Sequence, residues 1–480
     1  MLFNSLEYLL FLPIIAIIFF RTKQKYRWLV LLVASYLFYM SWRVEYAILI
    51  FVSTTIDYWA GIMMARQSEK AKKKKYLVAS LLINLGMLFS FKYLDFLNET
   101  VRTLLNWNAI DYPVGHLNIL LPVGISFYTF QTLSYTIDIY RGDRDPEKHF
   151  GIFALYVSFF PQLVAGPIER STALIPQFYA KACVNWQQIV DGTKLIVWGL
   201  FKKMVLGDNL GILVGYIYTD PQAYDGNMLI IGAFAFTIQI YCDASGYTDM
   251  AIGSAKILGI KLSDNFNRPY FSSSIAQLWR RWHITITDWV NDYLFNPLLK
   301  RNRKARYFYL VLVFVILGMW HGAGWQFVFF GLIHGLYILV GRLTDKRRKK
   351  LARNIGVAKW KTLTRNFNVL LTFTFFAFAS IAFRSDGLYD TFWIMGNLFT
   401  GGEVVSHITD MPQFNASNIF AISTSFILVY GIELTNKSDL RNPFSKIKTT
   451  WFRWCIYSMV VFYILTFNVS NSTAFYYFQF

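Results

Sequence analysis

The sequence predicts an all-α, polytopic transmembrane protein, and three observations predict it. The first is composition. Of 480 residues, 55% are hydrophobic and 16% charged, against about 25% charged in soluble domains. The second is the length of the apolar runs. Leu6–Phe20, Trp28–Ser41 and Leu77–Phe91 begin a series of such stretches, and roughly 20 apolar residues cross a bilayer core about 30 Å thick. The third is where the charge falls. The formal net charge of +19 is concentrated in short loops between apolar runs: Arg21–Arg27, Arg66–Lys75, Lys300–Arg306, Arg342–Arg365 and Lys437–Lys448. The stretch Asp386–Gln413 carries acidic residues and no Lys or Arg. That asymmetry is what the positive-inside rule produces. A nucleic-acid binder would gather its charge on one soluble face, so no nucleic-acid partner is expected; the lipid bilayer is.

Placing every basic loop on one side orders the elements. Spans are expected near 5–20, 28–43, 46–65, 76–96 and 119–140. Phe150–Val164 is too short to cross comfortably and is broken by Ala165-Gly166-Pro167, so residues 150–186 are expected to hold a re-entrant or buried segment, which survives at depth only inside protein or beside a cavity. Spans follow near 192–217 and 228–249. Residues 250–306 carry Lys256, Lys261, Arg268, Arg280 and Arg281 and are expected to form a cytoplasm-facing layer of interfacial and re-entrant helices. Residues 307–341 leave and return, and spans near 366–383, 417–435 and 451–468 complete the chain. The expectation is about 12 crossings with both termini outside. No internal repeat separates the chain, so residues 1–480 are expected to form one membrane-embedded domain.

The three cysteines, Cys183, Cys242 and Cys455, share no metal-ligand spacing, so neither a disulfide framework nor a metal site is expected. The first apolar run follows Glu7 and precedes its basic residues, the reverse of a cleavable signal peptide.

The chemistry-bearing position is His321, in Met319-Trp-His-Gly-Ala-Gly-Trp325. The fourteen residues Tyr307–Trp320 climb roughly 21 Å as a helix, so His321 is expected inside the bilayer. An ionisable side chain there is costly and marks a functional site by default. Gly322 and Gly324 are expected to allow a turn at that depth, which implies a water-accessible well. A neutral imidazole can take a proton from an alcohol, which then attacks a thioester or ester carbonyl. His283, in Trp279-Arg-Arg-Trp-His283, lies on an expected interfacial helix. It is either part of an anchor rich in Trp and Arg or, if the fold brings it to His321, a second functional imidazole. His334 is a candidate neighbour or a packing residue; His116, His149 and His407 fall in expected loops. Gln131, Asp243, Ser245, Trp320 and Trp325 are candidates to line the well, and Asp243 and Asp249 alternatively to cap a helix. No phosphate-cradling loop, His-Glu-x-x-His or Gly-x-Ser-x-Gly is present, nor the paired halves of many transporters.

Taken together, Leu121–Phe130, Phe159–Ile168, Gln239–Met250, Asp264–Tyr270, Trp279–His283, Gly318–Ala323, Gly331-x-x-His-Gly335 and Tyr477–Phe480 resemble the membrane-bound O-acyltransferase (MBOAT) family, in its bacterial alginate and peptidoglycan O-acetylase branch. The resemblance implies an MBOAT fold in a bacterial plasma (inner) membrane. It assigns the family's invariant histidine to His321 and the branch's second histidine to His283. It implies an O-acyltransferase that passes an acyl group, acetyl first, from a cytoplasmic thioester to a hydroxyl on the outer side. The donor would be acetyl-CoA or an acyl-carrier-protein thioester, with no bound cofactor. The acceptor would be a cell-envelope polysaccharide or a periplasmic or extracellular partner acyltransferase. Two positions depart from the branch pattern: Ala244 stands where Phe is usual, and Met319 where Leu is usual. The alternatives are D-alanyl transfer to teichoic acid, and a non-catalytic transporter or flippase.

Overall fold

A computed structural model of the protein describes all residues except 109, 117–120, 165, 403, 405–407, 409–410, 412–413, 436–442, 446, 470–475 and 477–480. His407, Ala165 and the Tyr477–Phe480 motif therefore lie outside the described residues, as does part of the Lys437–Lys448 loop. Among the described residues every regular element is helical. The first ten are α1 (Leu6–Arg21), α2 (Arg27–Met40), α3 (Val44–Ala65), α4 (Lys70–Lys92), α5 (Leu94–Trp107), α6 (Ile125–Arg141), α7 (Phe150–Ser158), α8 (Phe160–Leu163), α9 (Ser171–Tyr179) and α10 (Trp186–Leu200). There follow α11 (Asp208–Thr219), α12 (Gly226–Ile257), α13 (Ile275–Trp279), α14 (Ile284–Val290), α15 (Asn296–Arg301), α16 (Arg306–His321), α17 (Trp325–Asn354), α18 (Lys361–Arg384), α19 (Leu388–Asn397), α20 (Ala416–Thr435) and α21 (Thr450–Thr466).

Seven helical stretches among the described residues are long and apolar enough to cross a bilayer: α3, α4, α12, Arg303–His321, α17, α18 and α20. This is a multi-pass membrane protein. Helices also form over other expected spans but are shorter, at 16, 14, 17 and 17 residues for α1, α2, α6 and α21. The expected span at 192–217 is α10 and α11 joined through a π-helical turn at Phe201–Gly207.

The chain separates into two compact units. One comprises Met1–Thr193 and Met250–Ser263, the other Lys194–Asp249 and Asp264–Tyr476. In the first unit, the buried rings of Phe3, Tyr8, Phe38 and Phe160 pack on one another, and the Ser35 hydroxyl of α2 accepts the Phe160 backbone N–H at 3.1 Å. Every described residue from Gly151 to Val164 is buried, as expected of a short segment held within protein. Between α3 and α4, Ser80 and Asn84 donate to the buried Asp57 carboxylate at 2.5 and 2.9 Å, so this carboxyl group has its acceptors satisfied away from water.

In the second unit α16 and α17 form an antiparallel hairpin whose backbones touch. A Cβ on Gly318 would collide with the Phe327 carbonyl oxygen, and one on Gly331 with that of Phe314. Small residues permit this approach where apolar burial gives no net drive in lipid. The turn glycines act likewise through space: Gly322 is extended, at φ −161°, and a Cβ there would enter the Phe327 ring.

Candidate active site

His321 is the last residue of α16 and His283 precedes the first residue of α14. Their sequence separation hides a close approach: the two imidazole centroids lie 6.5 Å apart. Both are buried, His283 to 4% exposure and His321 to 3%. Trp320 joins them, its ring 4.8 Å from His321 and 6.4 Å from His283. Phe383 of α18 lies 4.9 Å and Phe330 of α17 lies 5.9 Å from the His321 ring.

Aromatic rings approach His321 from several elements, and α18 delivers Phe383 to the imidazole from 62 residues downstream in sequence. No local spacing announces that ring.

His283 has backbone φ +43°, a region seldom occupied by a non-glycine residue and one that concentrates at functional sites. Asn265 holds it there. The Ile284 N–H donates to the Asn265 backbone carbonyl at 2.9 Å. The Asn265 side-chain oxygen accepts the Thr285 hydroxyl at 2.9 Å and the Thr285 N–H at 3.3 Å. Those two donors fix which end of the amide is oxygen, so the amide nitrogen faces the His283 Nδ1, 3.2 Å away. An NH2 group donates only; Nδ1 is therefore an acceptor and the ring proton sits on Nε2. Burial pushes the His283 pKa down to about 3, which keeps this tautomer neutral. A neutral imidazole with a fixed Nε2–H is a hydrogen-bond donor suited to a carbonyl oxygen.

The other candidates separate. Asp243, Ser245 and Asp249 lie within α12. Lys203, on the π-helical turn, is paired with Asp208 at 2.5 Å and Asp243 at 2.7 Å. Lys202 reaches Asp249 at 2.7 Å and donates to Ser245 at 2.9 Å. Asp243 also accepts the Tyr476 N–H at 2.8 Å. This is an ionic cluster; the sequence marked Asp243, Ser245 and Asp249 and missed Asp208 and both lysines. Trp325 begins α17 and is 50% exposed. Gln131 belongs to the first unit, where its side chain donates to the Tyr156 carbonyl at 2.6 Å. His334 is fully buried near Trp279, Phe330 and Phe376. His116 is exposed, and exposed His149 caps α7 through Nδ1. Asn265 lies within Asp264–Tyr270, and only its contact with His283 gives it a role. No group of three potential metal ligands occurs among the described residues.

The profile of the MBOAT, membrane-bound O-acyltransferase family matches residues 148–385. That range holds both histidines, Asn265 and Phe383. The chain belongs to the membrane-bound O-acyltransferase family and is an acyltransferase. Within it, the chain is 33% identical to the probable alginate O-acetylase AlgI of Pseudomonas syringae over 89% of this chain and 80% of that protein. It is 33% identical to the peptidoglycan O-acetyltransferase of Helicobacter pylori over 80% of this chain and 75% of that one. Similarity to the teichoic acid D-alanyltransferase of Bacillus subtilis is lower, 26% over 58% of this chain and 73% of the relative.

Proposed function

We propose that the chain is an O-acetyltransferase of a bacterial plasma membrane that serves the cell envelope. It takes acetyl from a cytoplasmic thioester, acetyl-CoA or an acyl-carrier protein. It passes the group to an outer hydroxyl, on an envelope polysaccharide such as peptidoglycan or an exopolysaccharide, or on a periplasmic or extracellular partner acyltransferase. The names of the alginate O-acetylase and peptidoglycan O-acetyltransferase relatives support acetyl over D-alanyl. In this reading the chain is one catalytic domain with about 12 crossings, its basic loops in the cytoplasm and both termini outside.

The observation that carries the reading is the 6.5 Å approach of His283 and His321. Two imidazoles so placed can serve one tetrahedral centre, each through a hydrogen bond of about 3 Å. His321 takes the proton of the acceptor hydroxyl, and the oxygen attacks the thioester carbonyl. The Nε2–H of His283 donates to the oxygen that gains negative charge. Collapse breaks the carbon–sulfur bond, and the thiolate leaves with the proton held by His321. Acetyl ends on the acceptor and the donor ends as a thiol, with no external proton needed.

The test is transfer of labelled acetyl from acetyl-CoA, supplied to one face of sealed vesicles, to a polysaccharide acceptor or secreted partner supplied to the other. Transfer in one orientation only is expected, and its loss in His321→Ala protein that still inserts and remains monodisperse. Equal transfer by His321→Ala would overturn the assignment.

A further inference from the structure

A cavity lies in the second unit, lined by residues other than the two histidines. It has a volume of about 610 Å³ and is bounded by α12, α18, α20 and the segment that carries Arg268, Tyr270 and Arg281. Cavities of roughly 300–1,000 Å³ are the size of small-ligand sites. Three guanidinium groups, Arg268, Arg281 and Arg365, line it together with one carboxylate, Glu433.

Their partners leave positive charge over. The Glu433 carboxylate is engaged by the Tyr241 hydroxyl. Arg268 donates one nitrogen to the Glu433 backbone carbonyl at 3.1 Å, and its Nε is buried with no hydrogen-bond partner among the described residues. Arg281 makes a long contact, 3.4 Å, to the Phe271 carbonyl. Burial and the charges of Arg268, Arg365 and Arg280 push the Arg281 pKa below its ordinary value.

The rest of the lining changes character with depth. Along α18 it runs Arg365 and Asn366, then Val369, Leu370 and Phe373, a rise of about 12 Å from first to last. Along α20 it runs from Glu433 to Tyr430, Val429 and Phe426. Charge thus sits at one end of both helices and hydrocarbon at the other. Leu370, Phe426, Tyr430 and Leu434 are also exposed on the outer surface, so the mouth opens where two spanning helices meet lipid. A pantetheine arm would need partners for its two amides along this path, and the deeper lining is aliphatic and aromatic. An acyl chain needs none.

We propose that this cavity binds an anionic phospholipid from the surrounding bilayer, its phosphate held by Arg268, Arg281 and Arg365 and its chain laid along Val369, Phe373 and Phe426. Basic recesses between spanning helices recognise acidic headgroups by this combination of charge and depth. The assignment is independent of the transfer chemistry, and its test does not read transfer.

The experiment is a titration of the purified full chain in detergent with phosphatidylglycerol or phosphatidylcholine, read by native mass spectrometry. Phosphatidylglycerol is expected to be retained at a concentration at least about tenfold lower than phosphatidylcholine. The exposed-site variant Arg365→Gln, and Arg281→Gln/Arg365→Gln, should fall to the phosphatidylcholine level. Lys346→Gln, a basic residue outside the cavity, and His321→Ala should retain the lipid as the unmodified protein does. Should Arg281→Gln fail to stay monodisperse, Arg365→Gln alone carries the test. Equal retention of the two lipids, or unchanged retention by Arg365→Gln, would overturn the proposal. So would displacement of the lipid by coenzyme A, which would assign the cavity to the donor.

Discussion

Two buried polar clusters in the same unit solve burial in opposite ways. Around His283 and His321 the walls are aromatic: Phe266, Trp320, Phe330 and Phe383. Around Lys202 and Lys203 they are ionic, with Asp208, Asp243 and Asp249 within 2.7 Å. An ammonium taken from water must be met by carboxylates or it costs several kcal/mol. A neutral imidazole has no such requirement, and the Asn265 amide that faces its Nδ1 sets the His283 tautomer. The first cluster keeps groups that can exchange protons; the second locks charge in place. Chemistry is therefore expected of the histidines and stability of the lysines.

The comparison breaks most visibly at its two centres. His321→Ala should cost about 10²–10⁴-fold or more in acyl transfer, the range of a positioned base, with the melting temperature in detergent little changed. Lys203→Met should do the reverse. Leaving Asp208 and Asp243 without their cation should cost about 3–5 kcal/mol of stability, read by thermal denaturation. Replacing all three by neutral isosteres should recover much of that loss. A stable, inactive Lys203→Met protein would merge the two clusters into one site.

Smaller effects sharpen the division within the histidine cluster. His283→Ala should lower transfer about 10²–10³-fold, as loss of one oxyanion donor does. Asn265→Asp offers an acceptor where an amide donor stood. It should favour the Nδ1–H tautomer and lower kcat with the donor KM near its original value; an unchanged kcat would remove Asn265 from the account. The pH profile gives the smallest signal. Burial lowers the His283 pKa to about 3, so the ring stays neutral as pH falls through 6.5 and charges only far below. Any acid limb of transfer between pH 5 and 8 should therefore survive in the residual activity of His283→Gln. Its disappearance would make His283 the titrating group.

What the sequence disclosed follows the same line. Composition, run length and the basic loops announced an all-helical membrane protein, and among the described residues seven helical stretches have the length and hydropathy to span. Burial of Gly151–Val164 was legible because the run is too short to cross. His321 stood out in the sequence because an ionisable group in an apolar run is expensive wherever the chain folds, and it is buried. Two further neighbours in the cluster were not legible: Phe383 and Asn265 reach the histidines through tertiary packing, and neither is unusual in its own segment. Asp243 and Asp249 looked like cavity or capping groups because the lysines that neutralise them lie some 40 residues upstream on a turn that reads as ordinary apolar helix.

The central claim is that His283 and His321 act on one reacting centre. A double-mutant cycle on acetyl transfer by purified protein, with His283→Ala, His321→Ala and the pair, measures it directly. Residues that work as a unit are strongly non-additive, so the double variant should transfer no more slowly than His321→Ala alone. Losses that multiply, with the double variant slower than His321→Ala by the full His283→Ala factor, would contradict the account.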